Sequence, residues 1–473
     1  MKKTLSKGKV WCFAIGQLGW SILSALISSW LVNYYQPDNA TIAQGHSVFV
    51  PQGAIFIGLT VVGLITAFGR VFDAVTDPLI ASASDRCRSK NGRRIPFMKW
   101  AAVPFGVVTA LVFFSPMSGN EGSAGLVNAL FLFAMVTLFY LFMTMYCTPY
   151  NALIAELGST QKVRMAISTT ISFTFIAGMA FAYLAPVIWG TLMGFGLERM
   201  LAIRITMTGL AVIGVACMFV PVFTIKENDY VEIHPSEDSA FRSLAATFRN
   251  KEFRHFVVSD IVYFLGITMF QTALPFFVTS LLQIDESYST LFFVLLTALS
   301  LVFYPFVGKI TRRFGKKRPV LVAFGIFALA FGYASLLGDT LSFIPRMLQG
   351  VILCLIASPA QALFGILPQA MVADIAESEE KTTGVNRSGM FFAARTFAMK
   401  MGQGAAMLLV TSLSTIGTGT GLGYRIVALS AAAACLIGGA FLLLYNEKKI
   451  YDRLGLDSHG NVIEQPYSEE TGE

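Results

Sequence analysis

The sequence has few charged residues. Only 13% of its 473 residues are Asp, Glu, Lys or Arg, whereas about a quarter of a soluble domain is charged. Apolar residues make up 55% of the chain, and the mean hydropathy is +0.64. This composition excludes an ordinary water-soluble protein and a disordered one. Because a membrane span needs about 20 mostly apolar residues, the chain has enough of them for about twelve spans.

Residues that commonly hold metals or carry out catalysis are also scarce. The chain has four histidines and six cysteines, and the cysteines are scattered singly, so we expect neither a zinc site nor a disulfide framework. It lacks a phosphate-binding Gly-rich loop, a His-Glu-x-x-His pair and a nucleophile elbow. We therefore expect no enzymatic activity and no cofactor.

The apolar runs predict twelve spans in two sets of six. They lie near residues 10–35, 54–82, 97–116, 125–153, 166–189, 203–225, 256–282, 288–308, 318–337, 344–372, 388–413 and 424–445. The longest break divides them, which predicts a first half (1–225), a linker (226–254), a second half (255–446) and a largely disordered tail (447–473).

The positive charges predict the orientation in the membrane. If the N-terminus is cytoplasmic, 28 Lys and Arg residues fall in cytoplasmic segments and 4 in outside segments. This bias predicts a multi-pass protein of the cell (inner) membrane with both termini in the cytoplasm. It also accounts for the net charge of +7, so we expect no nucleic-acid partner.

Two loops indicate an internal repeat. SDRCRSKNGRRIPF (84–97) follows the second span and GKITRRFGKKRP (308–319) follows the eighth, so a Gly-basic-basic turn lies at the same ordinal position in each half. Repeated halves joined by a linker are typical of secondary transporters, whose binding site lies near the midplane between the halves.

The second span carries two acids where a membrane helix is expected to be apolar. Asp73 and Asp77 are four residues apart, so both face the same side of a helix, with Thr76 beside them and Arg70 one turn earlier. Each ionised carboxylate at mid-bilayer costs about 2.5 to 3.5 kcal/mol. The pair therefore predicts a bound Na⁺ or a proton on one carboxylate; a structural ion pair with Arg70 is the alternative.

The eleventh span carries two cations, Arg395 and Lys400. Both are expected to face the protein interior, and Lys400 is a suitable counter-charge for Asp73 or Asp77. Arg395 is compatible with two roles, contact with an anionic solute or pairing with an acid such as Asp374.

The motifs GRVFDAVTDP, SDRCRSKNGRRIPF, TPYNALIAEL, MVADIAE and RTFAMKMG together resemble the glycoside-pentoside-hexuronide:cation symporters, the melibiose permease group of the major facilitator superfamily. The resemblance implies an all-α membrane protein with twelve transmembrane helices in two pseudo-symmetric halves. It also implies transport of a sugar, glycoside or uronide-like solute with Na⁺, Li⁺ or H⁺. By motif, it places Asp73, Asp77 and Thr144 at the cation site and assigns Arg70 and Lys400 to charge balance.

The sequence departs from melibiose permease at three positions. Thr76 replaces an Asn between the two acids, and the sugar-binding acids of helices I and IV are missing, where Ser21 and Cys147 stand. A galactoside is therefore not supported. Candidate solute contacts are aromatic rings and small polar side chains: Gln17, Trp20, Ser21, Tyr146, Cys147, Tyr150, Asn151, Gln271, Gln361 and Phe392.

Charges at the cytoplasmic ends of the spans are candidates for a gate between the halves: Asp85, Arg86, Arg93, Glu156, Arg312, Arg313 and Asp374. Asp260, early in the seventh span, is expected to cap that helix at the interface. The expected partners are a small-molecule solute and membrane lipid, with the monomer as the functional unit. A cation-coupled lipid or lysolipid transporter of the same fold is the alternative function.

Overall fold

The computed structural model describes residues 5–56, 58–89, 92–157, 161–230, 247–384, 388–417 and 419–457. Twelve long helices occur in these ranges and are numbered α1 to α12. The first half contains α1 (Lys7–Tyr35), α2 (Val61–Asp85), α3 (Ile95–Leu111), α4 (Gly122–Leu157), α5 (Gln161–Tyr183) and α6 (Arg199–Thr224). The second contains α7 (Lys251–Phe276), α8 (Tyr288–Phe314), α9 (Lys317–Ala334), α10 (Arg346–Thr383), α11 (Ser388–Leu413) and α12 (Leu422–Leu443).

Shorter elements extend or connect these helices. A helix over Ala185–Gly194 continues α5, and a π-helical turn over Phe277–Leu281 continues α7. A helix over Asn39–Ala43 and an antiparallel pair of strands, β1 (Ala54–Phe56) and β2 (Leu59–Thr60), join α1 to α2. The hairpin is a small addition to the predicted all-α fold.

Nine of the described helices are long and apolar enough to cross a membrane by length and composition alone. The other three are α3, an apolar helix of 17 residues, and α2 and α11, each of which carries two or more charged residues in its interior. These three pack against the other helices of their own half, α2 and α3 on α4 and α11 on α7. All twelve therefore form one bundle.

The helix packing repeats with a shift of six. In the first half α1 packs on α5 and α6, α2 on α4, and α3 on α4 and α6; in the second half α7 packs on α11 and α12, α8 on α10, and α9 on α10 and α12. The halves meet where α2 packs on α11, α1 on α7, and α5 on α8. This arrangement has the predicted pseudo-symmetry.

The Gly-basic-basic turns occupy equivalent places in the two halves. Gly92 (φ 98°) precedes α3, and Gly315 (φ 75°) precedes α9. The carboxylate of Glu227 accepts hydrogen bonds from the backbone N–H groups of Arg93 (3.0 Å) and Arg94 (2.8 Å). A side chain on either glycine would overlap the capping carboxylate, Glu227 or Glu447, so both positions require glycine.

Glu447 caps α9 in the same way as Glu227 caps α3. It accepts from the N–H groups of Lys316 (2.7 Å) and Lys317 (2.8 Å). A carboxylate at a helix N-terminus satisfies free N–H groups and interacts favourably with the helix dipole. Each glutamate follows the last helix of its half, so it ties the end of that half to the third helix.

The two ends of the bundle differ. We call the end that contains Lys7, Asp85, Thr224 and Lys251 the terminal end, and the other the opposite end. The halves are joined at the opposite end, where Gln36 donates to the carbonyl of Thr411 (2.7 Å) and Thr279 donates to Asp38 (2.6 Å). The opposite end is therefore closed.

Parts of two predicted segments lie outside the described residues. In the predicted linker this applies to 231–246, and in the predicted tail to 458–473. The beginning of that tail forms a helix, Glu447–Leu454, whose Ile450 and Tyr451 are buried. This helix packs on α10.

Candidate cation site and solute pathway

The structure brings the two acids of α2 and the lysine of α11 together. The Nζ of Lys400 lies 2.9 Å from Asp73 Oδ1 and 2.5 Å from Asp77 Oδ2. The side chain of Asp73 is 0% exposed and that of Lys400 is 7% exposed. Because α2 belongs to the first half and α11 to the second, these ion pairs join the two halves.

Hydroxyl groups of α4 complete the surroundings of the acids. Thr144 donates to Asp73 Oδ1 (2.7 Å), and Thr148 donates to Asp77 Oδ1 (3.0 Å). Thr76 donates to the backbone carbonyl of Asp73 (3.1 Å) and lies 3.5 Å from the Thr144 hydroxyl. Sequence reasoning missed Thr148, although its spacing of four from Thr144 places both hydroxyls on one helix face.

The other carboxylate oxygen of Asp73, Oδ2, is buried without a hydrogen-bond partner. An unpartnered buried carboxylate oxygen is costly, and a bound cation would satisfy it. No group of three or more His, Cys, Asp or Glu residues suited to a metal ion occurs in the described part of the chain. Carboxylates and hydroxyls are ligands for a hard monovalent cation rather than for a transition metal.

Arg70 does not neutralise the acid pair in this structure. Its guanidinium lies over the ring of Tyr140, 5.0 Å from the centroid, and Nη2 donates to Ser28 at 3.4 Å. The ammonium of Lys400 takes the place that an Arg70 ion pair would need. Arg70 therefore packs α2 on α4 beside the site.

Arg395 forms a buried ion pair with Asp260 of α7. Nε donates to Oδ2 (2.8 Å) and Nη2 to Oδ1 (3.1 Å), while Nη1 donates to Gln369 of α10. One expectation is corrected here, and one of the two roles left open for Arg395, pairing with an acid, is what the structure shows. Asp260 is 3% exposed and lies inside the bundle rather than capping a helix at the interface, and Arg395 pairs with it rather than with Asp374.

Several candidate solute contacts form hydrogen bonds within the bundle instead. The hydroxyl of Tyr146 donates to the carbonyl of Met218 (2.9 Å), and that of Tyr150 donates to the carbonyl of Phe13 (2.7 Å). Ser21 donates to the carbonyl of Gln17 within α1. These bonds fix α4 against α1 and α6, so the two tyrosines present no free hydroxyl to a solute.

The other candidates differ in exposure. Gln17 is buried, Asn151 is exposed, and the remainder are half-buried: Trp20, Cys147, Gln271, Gln361 and Phe392. The indole Nε1 of Trp20 is buried without a hydrogen-bond partner, so it has a donor to offer. Their role in solute binding stays a prediction.

The candidate gate residues lie at the terminal end, in clusters within each half. Glu156 pairs with Arg93 (2.6 Å) and Arg94 (3.1 Å), and Asp85 pairs with Arg94 (2.5 Å). In the second half Asp374 pairs with Lys316.

Two outcomes differ from the sequence expectation for this gate. The partner of Asp374 is a lysine of the Gly-basic-basic turn rather than Arg312 or Arg313, which are exposed, as is Arg86. In addition, the pairs of Arg93 and Lys316 each brace one half and do not join the halves in this conformation.

A family model described as MFS/sugar transport protein matches residues 12–444. The chain belongs to this family. The predicted resemblance to glycoside:cation symporters of the major facilitator superfamily is thereby confirmed. As an MFS/sugar transport protein, the chain is a multi-pass membrane transporter and not an enzyme, as expected.

Known proteins of this family cover most of the chain. The putative glycoside/cation symporter YagG of Escherichia coli (strain K12) is 26% identical over 348 residues, 72% of each chain. The isoprimeverose transporter of Lactiplantibacillus pentosus is 23% identical over 356 residues, which are 74% of this chain and 71% of that protein. The described bundle also matches the crystal structure of a D-xylose-proton symporter with a TM-score of 0.63 at 15% identity, covering 93% of this chain and 98% of that one. This likeness shows the major facilitator fold.

Proposed function

We propose that this protein takes up a sugar or glycoside together with Na⁺ or H⁺ by alternating access. The observation that carries the proposal is Lys400, a residue of the second half whose ammonium lies between Asp73 and Asp77 of the first half. A coupling cation at this place competes with the lysine for the same carboxylates. Cation binding thus acts directly on a contact between the halves.

The net charge of the acid pair favours the binding of a cation. With Lys400 between them, the two acids are held by one positive charge, and one net negative charge remains at the acid pair. A bound cation supplies the second positive charge, and it gives Asp73 Oδ2 the partner that this oxygen lacks. By thermodynamic reciprocity, a solute that binds the cation-loaded form more tightly raises cation affinity by the same factor.

The donor set is compatible with both kinds of cation. Carboxylate oxygens of Asp73 and Asp77 with hydroxyls of Thr76, Thr144 and Thr148 would suit Na⁺ or Li⁺, whereas H⁺ needs only a carboxylate. Varying Na⁺ at fixed pH, and pH at fixed Na⁺, separates the two.

The proposed orientation follows from the loops and the closed end. The basic loops after α2 and α8 lie at the terminal end, which we assign to the cytoplasm of a cell with an inner membrane. The opposite end, joined by Gln36 and Asp38, then faces outward. The conformation is accordingly closed to the outside.

A sugar-like solute is favoured over a lipid. The relatives include a putative glycoside/cation symporter and an isoprimeverose transporter, and both cover most of this chain. The exposed amide of Asn151 and the free indole donor of Trp20 are suited to hydroxyl groups. We propose the monomer as the transporting unit.

Uptake into proteoliposomes tests the proposal. D-xylose, isoprimeverose and methyl glycosides are presented with an inward Na⁺ gradient, an inward H⁺ gradient or neither. We expect at least one gradient to drive accumulation and Asp77→Asn to abolish that dependence. Asp452→Asn, an exposed acid of the helix after α12, is the matched control. Accumulation that ignores both gradients would overturn the symport mechanism.

A further inference from the structure

The ion pair of Arg395 with Asp260 lies within the membrane-spanning part of the second half. Six charged residues occur seven or more residues from either end of α2, α7 and α11: Arg70, Asp73, Asp77, Asp260, Arg395 and Lys400. They are three acids and three bases, so this set is neutral overall before any coupling cation binds.

Within this set, the positive charge of Arg395 is neutralised by Asp260. Both oxygens of Asp260 accept from its guanidinium, at 2.8 and 3.1 Å, and its remaining edge donates to Gln369. The side chain of Asp260 is 1% exposed and that of Arg395 is 13% exposed. A bidentate, largely buried pair of this kind has a fixed geometry.

The Arg395 side of the pair is not fully enclosed, since that side chain is 13% exposed. Gln369 is exposed, and polar side chains within a bundle in lipid face its interior or a water-filled cavity. Gln369 lies on α10, and Arg395 on α11, which also carries Lys400. A solute that enters such a cavity beside α10 and α11 meets the Arg395 and Gln369 edge, with the Asp260 charge directly behind it.

We infer that the solute is neutral, and that Asp260 determines this by neutralising Arg395. The inference rests on the proposed function. A uronide carboxylate or a sulfonate could use Arg395 only by displacing Asp260, which would leave a buried carboxylate unpaired. A neutral sugar hydroxyl accepts or donates at the Arg395 and Gln369 edge without disturbing the pair. Asp260 is thus a positioning and specificity-determining residue.

Two matched probes test this assignment: methyl β-D-glucoside and methyl β-D-glucuronide, which differ in one CH₂OH or COO⁻ group. Competition against uptake of a neutral substrate, and thermal stabilisation of the purified full chain, are measured for each. For the native protein we expect the glucuronide to compete at least tenfold more weakly than the glucoside. Asp260→Asn releases the charge of Arg395, so we expect the ratio of glucuronide affinity to glucoside affinity to rise at least tenfold over that of the native protein.

The double variant Asp260→Asn with Arg395→Gln is the control. It has no unpaired charge at this position and should again reject the glucuronide. A comparison of the single and double variants therefore separates the effect of the released Arg395 charge from the effect of altered packing. If the single variant does not fold, the double variant still decides, because a glucuronide preference there overturns the inference. A glucuronide preference in the native protein also overturns it, yet leaves symport intact. Binding of no carbohydrate at all would instead contradict the proposed function.

Discussion

The guanidinium of Arg199 lies 2.5 Å from the carboxylate of Glu286, and both side chains are 4% exposed. Arg199 begins α6 of the first half and Glu286 precedes α8 of the second, so this buried ion pair joins the halves at the opposite end. Gln44 accepts a further hydrogen bond from Arg199 at 2.9 Å. Alternating access requires this contact to break when the opposite end opens.

Glu286→Gln is expected to favour the conformation that is open at this end. Removing one partner of a buried ion pair leaves the other charge uncompensated, and a loss of about 1.4 kcal/mol from the closed state raises the open fraction about tenfold. Ser289 is buried, and its backbone N–H donates to the carbonyl of Glu286 at 2.9 Å, so alkylation of Ser289→Cys by a membrane-impermeant reagent reports opening.

Arg346→Gln is the matched control for this latch. The pair of Arg346 with Asp339 lies at the same end but is exposed and within one half. Equal alkylation rates in Glu286→Gln and Arg346→Gln would show that Arg199 and Glu286 do not hold the closed state.

His46 gives the closed end a dependence on pH. Burial is the main cause that lowers the pKa of His46 to about 4, and Arg199 acts in the same direction. The unfolded chain, with a histidine pKa of about 6.5, binds more protons between these values, so the stability of the closed form falls as pH falls from 6.5 toward 4. Between pH 6.5 and 5 the expected loss is about 1.6 kcal/mol.

Comparison of the native protein with His46→Gln isolates this effect. Burial raises the pKa of the neighbouring Glu286 carboxyl, which contributes with the opposite sign. Because Glu286 is present in both proteins, the thermal midpoint of the native protein relative to that of His46→Gln should fall as pH falls from 6.5 to 5. Parallel pH profiles would assign the dependence elsewhere.

The capping glutamates are expected to matter more for stability than exposed acids at the same end. Hydrogen bonds to a charged group contribute about 1.5 to 3 kcal/mol, so Glu227→Gln and Glu447→Gln should each lower the thermal midpoint by several degrees. Glu377→Gln, an exposed acid paired with Lys381, should change the thermal midpoint little.

The glycines of the turns should be similarly sensitive. Gly92→Ala should lower stability more than Gly190→Ala, where nothing lies near the added Cβ. Equal effects in these pairs would argue against a capping role.

Sequence reasoning grouped Asp73, Asp77 and Lys400 of the candidate cation site because the physics that relates them is local. Asp73 and Asp77 share a helix face by their spacing, and charges inside a span must find partners in the bundle, which leaves Lys400 as a natural choice. The repeat of the Gly-basic-basic turns could likewise be predicted from the sequence. The carboxylates that cap the following helices were not, because Glu227 and Glu447 are distant in sequence from the turns that they close.

Pairings between distant helices also escaped prediction. Asp260 and Arg395 are 135 residues apart, and the sequence alone does not select Asp260 over Asp374 as the partner. Tyr146 and Tyr150 resemble solute-binding aromatics in sequence, yet backbone carbonyls take up their hydroxyls. Such outcomes depend on which helix faces meet.

Replacement of Lys400 separates its two effects on the acid pair. In Lys400→Gln, Asp73 and Asp77 lose their shared counter-charge, and breaking a buried pair costs about 3 to 5 kcal/mol, so the cation-free protein should melt well below the native one. The same change removes the competitor for the carboxylates. A coupling cation should then bind more tightly, by about tenfold or more, and stabilise the variant more than the native protein.

Thermal midpoints measure both effects of Lys400→Gln. A Na⁺ series at fixed pH and a pH series without Na⁺ together identify the cation. Lys381→Gln, which replaces an exposed lysine, is the control. Unchanged cation dependence in Lys400→Gln would show that lysine and cation do not compete for Asp73 and Asp77.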